Sequence, residues 1–411
     1  MAMVFWLSAT LIAYVYVGYP LLLYLWALVR PRRGGSRSAG CPTTPSNPQS
    51  AIRNPQSGIS IIIAARNEGA RLAARLENLL AVDAPAASRQ IIVASDGSTD
   101  DTVEVLARYA PAVEAVVLPP GGKATALNAA VERARFEILV FADARQVFAP
   151  DALQALVEPF SDPAIGGVSG ELLLDAESEL FANRRTASAD RRSGQRAFQP
   201  RASSIERRQV QRRAIRSTMT DGVGMYWRYE KHLRRLESAV GSTVGATGAI
   251  YAIRRSLWRP LPPDTILDDV LTPMWIVLGG HRVVFNERAR AFDRVPIDAD
   301  AEGRRKVRTL AGNYQILALE PRLLLPWRNP IWLQYFSHKL GRLAVPYAML
   351  ALFASSILMA DGHALYQLAL AVQVAFYLLA GYGAVVELRA RGHACPPQDA
   401  GSQRTVMREV A

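Results

Sequence analysis

The chain has 411 residues, of which 48 are Lys or Arg and 36 Asp or Glu, and its formal net charge is +12. That length accommodates a full catalytic domain and more besides. The only cysteines are Cys41 and Cys395, and the five histidines are scattered, which excludes a disulfide framework and a Cys/His zinc site.

Val4 to Val29 contains no charged residue and exceeds the roughly 20 helical residues that cross a bilayer core. A signal peptide would have a shorter apolar core with basic residues ahead of it, whereas here Arg30, Arg32 and Arg33 follow. Residues 1–30 therefore predict a transmembrane helix. Residues 31–57 are rich in Pro, Gly, Ser and Asn, carry the near-duplication NPQSAIRNPQS, and predict a flexible linker.

From Gly58 the pattern alternates. Ile59–Ala65, Gln90–Ser95, Val113–Leu118 and Ile138–Ala142 read as strands, and Glu68–Leu80, Thr99–Ala110 and Lys123–Ala134 as helices between them. Such alternation implies βαβ units, an α/β fold and a mainly parallel sheet. Ligands of such sheets gather outside the strands' carboxyl ends, where Asn67, Glu68, Asp96 and Asp143 fall. Two readings of the SDGSTDD stretch stand together: helix capping explains Ser98 to Asp101, while Asp96 at the last strand position suits a ligand contact. No G-x-G-x-x-G follows the first strand and no G-x-x-x-x-G-K-[ST] occurs, which argues against dinucleotide and P-loop chemistry.

Residues 182–216 hold eleven arginines against Asp190 and Glu206, a local net charge of +9. This insertion reads as a solvated segment or a basic membrane-surface module. Nucleic acid is not an expected partner, because Phe181 and Phe198 are the only aromatics among these charges and anionic lipid is nearer. Residues 301–342 predict interfacial helices, with Trp327, Trp332 and Tyr335 among basic residues of Pro321–Phe336. Leu343–Ala360 and Ala364–Val386, joined by Asp361-Gly362-His363, predict a transmembrane hairpin, residues 343–388, with a tail at 389–411. Lys339, Arg342, Arg389 and Arg391 flank the hairpin and its turn has no Lys or Arg. The positive-inside rule then makes the chain a multi-pass inner-membrane protein with residues 58–300 as a cytoplasmic domain.

Several motifs occur in order: Ala65-Arg66-Asn67-Glu68, Asp96-Gly97-Ser98-Thr99-Asp100, Gly122-Lys123-Ala124-Thr125-Ala126-Leu127-Asn128, Phe141-Ala142-Asp143-Ala144-Arg145, Thr247-Gly248-Ala249-Ile250-Tyr251-Ala252, Leu267-Asp268-Asp269 and Arg305-Lys306-Val307-Arg308-Thr309. Together they resemble the membrane-embedded, processive-type glycosyltransferases of family 2, which have the GT-A fold and include synthases of poly-N-acetylglucosamine, cellulose and hyaluronan. The resemblance covers roughly Ile59 to Gln315 without the Arg-rich insertion.

It implies an inverting transfer of a sugar from a nucleotide-sugar donor, UDP-linked, to a polysaccharide or lipid-linked acceptor. Asp269 would be the general base, its pKa lifted by Asp268; a capping pair opening a helix over Val270–Leu278 is the other reading. Ala65, Asn67, Glu68 and Asp96 would contact the donor, Lys123 the diphosphate, and Thr247, Gly248 and Asp268 the acceptor side.

Asp143 would hold Mg2+ or Mn2+, but Arg145 stands where the family has a second aspartate. Arg145, two residues along an extended chain, would then lie on the same side and grip the diphosphate itself. Arg305 and Arg308 would also bind the donor, while Thr309 replaces a tryptophan that stacks on the acceptor sugar. Three spans are few for a secretion channel, which implies a lipid acceptor, an oligomer or a helper subunit. Arg145 and Thr309 also leave open a catalytically silent scaffold with the GT-A shape.

Overall fold

A computed structural model describes residues 1–29, 58–83, 89–175, 226–294 and 299–392. The expected linker, the Arg-rich insertion and all of the tail beyond residue 392 lie outside these residues. Two compact units emerge, Met1–Tyr16 with Ala344–Ala411, and Val17–Leu343.

In the first unit α1 (Ala2–Ala13) leads into a π-helical turn, Tyr14–Gly18. The unit also holds most of α11 (Gly341–Leu358) and all of α12 (Ala364–Gly392). Phe5 meets Tyr366 edge to face at 4.9 Å, Phe353 meets Tyr377 at 5.4 Å, and Gln373 Nε2 donates to Ser356 Oγ at 3.0 Å. Among the described residues, three continuous helices are long and apolar enough to cross a membrane: Ala2–Val29, Trp332–Leu358 and Ala364–Gly383.

The second unit contains α2 (Tyr19–Val29), then β1 (Ile59–Ala65), α3 (Gly69–Ala81), β2 (Arg89–Asp96), α4 (Thr102–Arg108), β3 (Glu114–Leu118), α5 (Gly122–Glu132) and β4 (Ile138–Ala142). β5 (Val147–Phe148), α6 (Ala152–Val157), β6 (Ile165–Asp175), α7 (226–240), β7 (Ile250–Arg254), α8 (Asp268–Leu278), β8 (Arg282–Arg294) and α9 (Ala299–Leu319) follow. A short α10 (Trp332–Gln334) and a π-helical turn at Tyr335–Leu340 lead into α11.

One eight-stranded sheet has the order β3-β2-β1-β4-β7-β6-β8-β5. The first four are parallel neighbours, β7 runs antiparallel to both β4 and β6, and β8 is parallel to β6. The fold is thus the expected α/β class, with a mainly parallel sheet. Its period-2 alternation explains the two buried cores. Ile61, Ile63, Ile91 and Val93 face α3, α4 and α6 through Leu72, Leu76, Val105 and Leu156, while Ile62, Ile92, Leu139 and Phe141 face α5 and α8 through Leu127, Leu271 and Met274.

The expected segment boundary before the hairpin shifts. Trp332 and Tyr335 form the opening turns of the second apolar helix, because Tyr335 and Ile331 are buried in the same core cluster as α8. Trp327, which is 76% exposed, is not buried in that core.

Candidate active site

The site is assembled at one sheet edge. β1, β2 and β4 end there with Ala65, Asp96 and Ala142, and the antiparallel β7 begins there, with Ile250 paired to Ala142. The register therefore carries Asn67, Asp96, Asp143 and the turn Thr247–Gly248 to a single edge.

Asp96 is 5% exposed. Its Oδ1 accepts the amides of Gly121 and Gly122 at 2.6 and 3.0 Å, and Oδ2 accepts that of Gly122 at 3.1 Å, with Arg66 Nη1 3.8 Å away. The carboxylate clamps the turn that opens α5, and its four lone-pair sites leave acceptor capacity for a ligand. The preceding turn needs Gly97 at φ +59°, where a Cβ would lie 2.4 Å from Pro120.

Asp100 accounts for part of the remaining acidic stretch. It accepts the Thr102 hydroxyl at 2.5 Å, the Thr102 amide at 3.1 Å and the Gly69 amide at 3.0 Å. The Thr102 hydroxyl is the first reason its carboxyl is held below the usual range. Asn67, at φ 55°, accepts the Thr99 amide at 2.8 Å, and Glu68 pairs with Arg71 at 3.7 Å. Ala65 is 2% exposed and belongs to the core, so only its backbone remains for a ligand.

Lys123 lies in the first turn of α5, just past the Asp96 clamp. Its Nζ stands 3.0 Å from Asp268 Oδ1 and 3.5 Å from Asp143 Oδ1. Burial works against its charge, but Asp268, Asp143 and Asp269 outweigh that and raise its pKa. Asp268 also accepts from the Tyr251 hydroxyl at 3.5 Å. Tyr251 stacks on Phe141 at 4.7 Å, and Phe141 on Trp258 at 5.2 Å, so an aromatic floor that sequence reasoning missed supports the acidic pair. Its signal was the aromatic residue in each of two motifs; their direct opposition across β4 and β7 depends on the register.

Neither aspartate of the pair caps α8. The helix begins at Asp268, with no side-chain cap bond from Leu267. Asp269 Oδ2 instead accepts the Gly248 amide at 3.1 Å, while its own carbonyl accepts the Ala246 amide at 2.8 Å. Burial first, then repulsion from Asp268, pushes the Asp269 carboxyl up to about 6, against the opposing pull of Lys123 and Lys339. Thr247 is buried, and its amide donates to Ser169 Oγ at 3.0 Å.

Arg145 departs from expectation. The chain bends at Ala144–Arg145 rather than continuing extended, and Arg145 Nε lies 3.1 Å from Asp293 Oδ2, which also accepts from Gln146 at 3.0 Å. This pairing turns the guanidinium to β8. Arg308 Nη2 reaches the Ile266 carbonyl at 3.5 Å, just ahead of the acidic pair, and Thr309 Oγ1 bonds back to the Arg305 carbonyl at 2.9 Å. Arg305 and Arg308 are both exposed on α9, which is fixed to that loop by Gln315 bonding Asp264 and Ile266.

A divalent cation would have Asp143, 35% exposed at its side chain, as its carboxylate. Among the described residues no group of three or more His, Cys, Asp or Glu is placed to hold a metal. One carboxylate with diphosphate oxygens and water is a donor set Mg2+ accepts, so the site fits a cation delivered with the donor.

An acidic cleft at the carboxyl edge of such a sheet, with a lysine between its carboxylates and a carboxyl poised near 6, has the makings of a sugar-transfer site. Residues 60–234 match Glycosyl transferase family 2. The poly-beta-1,6-N-acetyl-D-glucosamine synthase of Staphylococcus epidermidis is 22% identical over 267 residues, 63% of this chain and 55% of the relative. That of Staphylococcus aureus strain COL is 23% identical over 264 residues, with the same shares. The chain thus spans about half the length of these curated relatives. Among solved structures, the mannosyltransferase PcManGT from Pyrobaculum calidifontis, in complex with GDP-Man and Mn2+, is 21% identical with a TM-score of 0.60, covering 94% of this chain and 96% of its own. That likeness shows a shared fold, with a sheet of GT-A type.

Proposed function

We propose that the protein is an inverting membrane glycosyltransferase that moves a sugar from a nucleotide donor, UDP-linked, to a hydroxyl of a glycan or lipid-linked acceptor. The observation that carries this reading is the meeting of Asp96, Lys123, Asp143 and the Asp268-Asp269 pair at one sheet edge.

The acceptor oxygen attacks the anomeric carbon, the bond from that carbon to the diphosphate oxygen breaks, and the acceptor proton passes to Asp269. One base suffices for a single displacement, and a carboxyl near 6 is ionised at neutral pH yet basic enough to take a proton. Asp96 fixes the turn beside which the base and ribose would lie. Lys123 offers the leaving diphosphate a cation already held between carboxylates. Mg2+ or Mn2+ at Asp143 would neutralise further charge on the diphosphate. Arg305 and Arg308, on α9, are the remaining donor contacts, with Asn67, Glu68 and the Ala65 backbone at the edge. Thr247, Gly248 and Asp268 line the acceptor side. The three apolar helices anchor the enzyme in the inner membrane with this site on the cytoplasmic side; the acceptor is carried on lipid or passed to an oligomer or helper subunit.

The test is a titration of the purified full-length protein with a panel of UDP- and GDP-sugars, following binding. A UDP-sugar should bind saturably, and Asp96→Asn should weaken it. Failure of every nucleotide sugar to bind, with or without Mn2+, would defeat the reading.

A further inference from the structure

A second polar cluster lies behind the catalytic pair and is not used by the chemistry above. Glu230 and Glu237 on α7 are 8% and 0% exposed. His338, in the π-helical turn before α11, sets Nδ1 2.7 Å from Glu237 Oε1 and Nε2 3.0 Å from Glu230 Oε1. Tyr19 of α2 donates to the same Glu237 oxygen at 2.8 Å, and Arg342 donates to Glu230 Oε2 at 2.8 Å. Buried carboxylates are tolerated only with such partners.

The cluster reaches toward the site through Arg234. Arg234, on the same face of α7, lies 3.9 Å from Glu230 Oε1 through Nε and donates through Nη1 to Thr247 Oγ1 at 2.5 Å. Thr247 is the residue before Gly248, whose amide holds Asp269. Gly245 and Ala246, just ahead of this turn, border a polar cavity together with Glu230, Arg234, Glu237, His338 and Lys339.

We propose that Arg234 is a positioning residue for sugar transfer: held by Glu230, it fixes the Thr247–Gly248 turn and so aims the amide that orients the Asp269 carboxylate. Through His338 and Arg342 the aim of the base is referred to the helix that runs on as α11, and through Tyr19 to α2. This deepens the transferase reading and rests on Asp269 as the base.

The readout is the pH profile of UDP release from UDP-N-acetylglucosamine by the full-length protein in detergent micelles. An amide bond to a carboxylate favours its ionised form, so loosening it raises the pKa and moves the acid limb to higher pH. The other charges facing Asp269, namely Asp268, Asp143, Lys123 and Lys339, stay in place. Thr247→Val removes the Arg234 contact without changing any charge. It should lower kcat about tenfold with donor KM changed less than about twofold, and shift the limb upward by about half a pH unit. Arg234→Gln should do the same, with Arg234→Lys and Thr247→Ser partly restoring both parameters. An unmoved limb and kcat in Thr247→Val would overturn the proposal, as would a loss that appears only in donor KM. Asp269→Asn separates the two claims: if it keeps the wild-type rate, the base assignment fails; if it is inactive while Thr247→Val is unaffected, only the role of Arg234 fails.

Discussion

Lys123 Nζ lies 3.0 Å from Asp268 Oδ1, joining the first turn of α5 to the first turn of α8 across the carboxyl edge of the sheet. The ammonium also reaches Asp143, so one cation is shared by two carboxylates far apart in sequence. On the proposed reading, a diphosphate arriving at this edge would meet a positive charge already oriented.

Lys123→Ala should therefore weaken donor binding by about tenfold or more, corresponding to loss of a charge-assisted contact. Asp269→Asn should leave binding within about twofold, because the base acts on the acceptor. Calorimetric titration of both variants with the same nucleotide sugar checks the contrast.

The pH dependence follows from the raised pKa of Asp269. The general base must be ionised, so kcat should fall as pH drops through about 6 and plateau above it. An ordinary exposed aspartate would give a limb near 4. The acid limb of the kcat profile reads this directly.

Gly248→Ala places a Cβ 2.9 Å from Asp269 Oδ2, closer than real contacts allow. The carboxylate or the turn must move, and kcat should fall about a hundredfold for a displacement of this kind next to the reacting atoms. Thermal stability should change far less than activity, which a melting curve beside the kinetic assay would show.

Gly97→Ala addresses the fold instead. Its φ of +59° and the 2.4 Å approach to Pro120 give an alanine both backbone strain and a clash. A loss of about 1–3 kcal/mol from strain alone is expected, read as a lower melting temperature, together with weaker donor binding as the Asp96 clamp on Gly121 and Gly122 loosens.

Removing divalent metal tests the single-carboxylate site. With Asp143 as its one protein carboxylate, affinity for Mn2+ in the absence of donor should be weak and should rise when UDP is present. Paramagnetic titration of free Mn2+ measures both, and Asp143→Asn should abolish the UDP-dependent gain.

Much of this arrangement was legible in the sequence. The alternation from Ile59 to Ala142 reads as β1 to β4 and their helices because β1, β2 and β4 are buried on both faces and amphipathic helices separate the strands. The acidic residues at strand ends followed from the same pattern. What stayed hidden depends on long-range pairing. Arg145 looked like a diphosphate ligand until the bend at Ala144 turned it to Asp293, 148 positions further along the chain. The pair at Asp268-Asp269 read equally as caps, because local sequence cannot say that Lys123 and the Gly248 amide would claim those carboxylates. Glu230 and Arg234 carry the i,i+4 spacing of an exposed helical ion pair, and only the packing of His338 and Arg342 reveals Glu230 as buried.

The most direct test of a shared cleft is the rate of nucleoside diphosphate release from the nucleotide sugar that binds, compared between the wild-type full-length protein and Asp269→Asn. The account predicts release by the wild type and a loss of about a hundredfold or more in the variant at equal donor occupancy. Release by the variant at the wild-type rate would contradict it, as would no release by the wild type with any donor it binds.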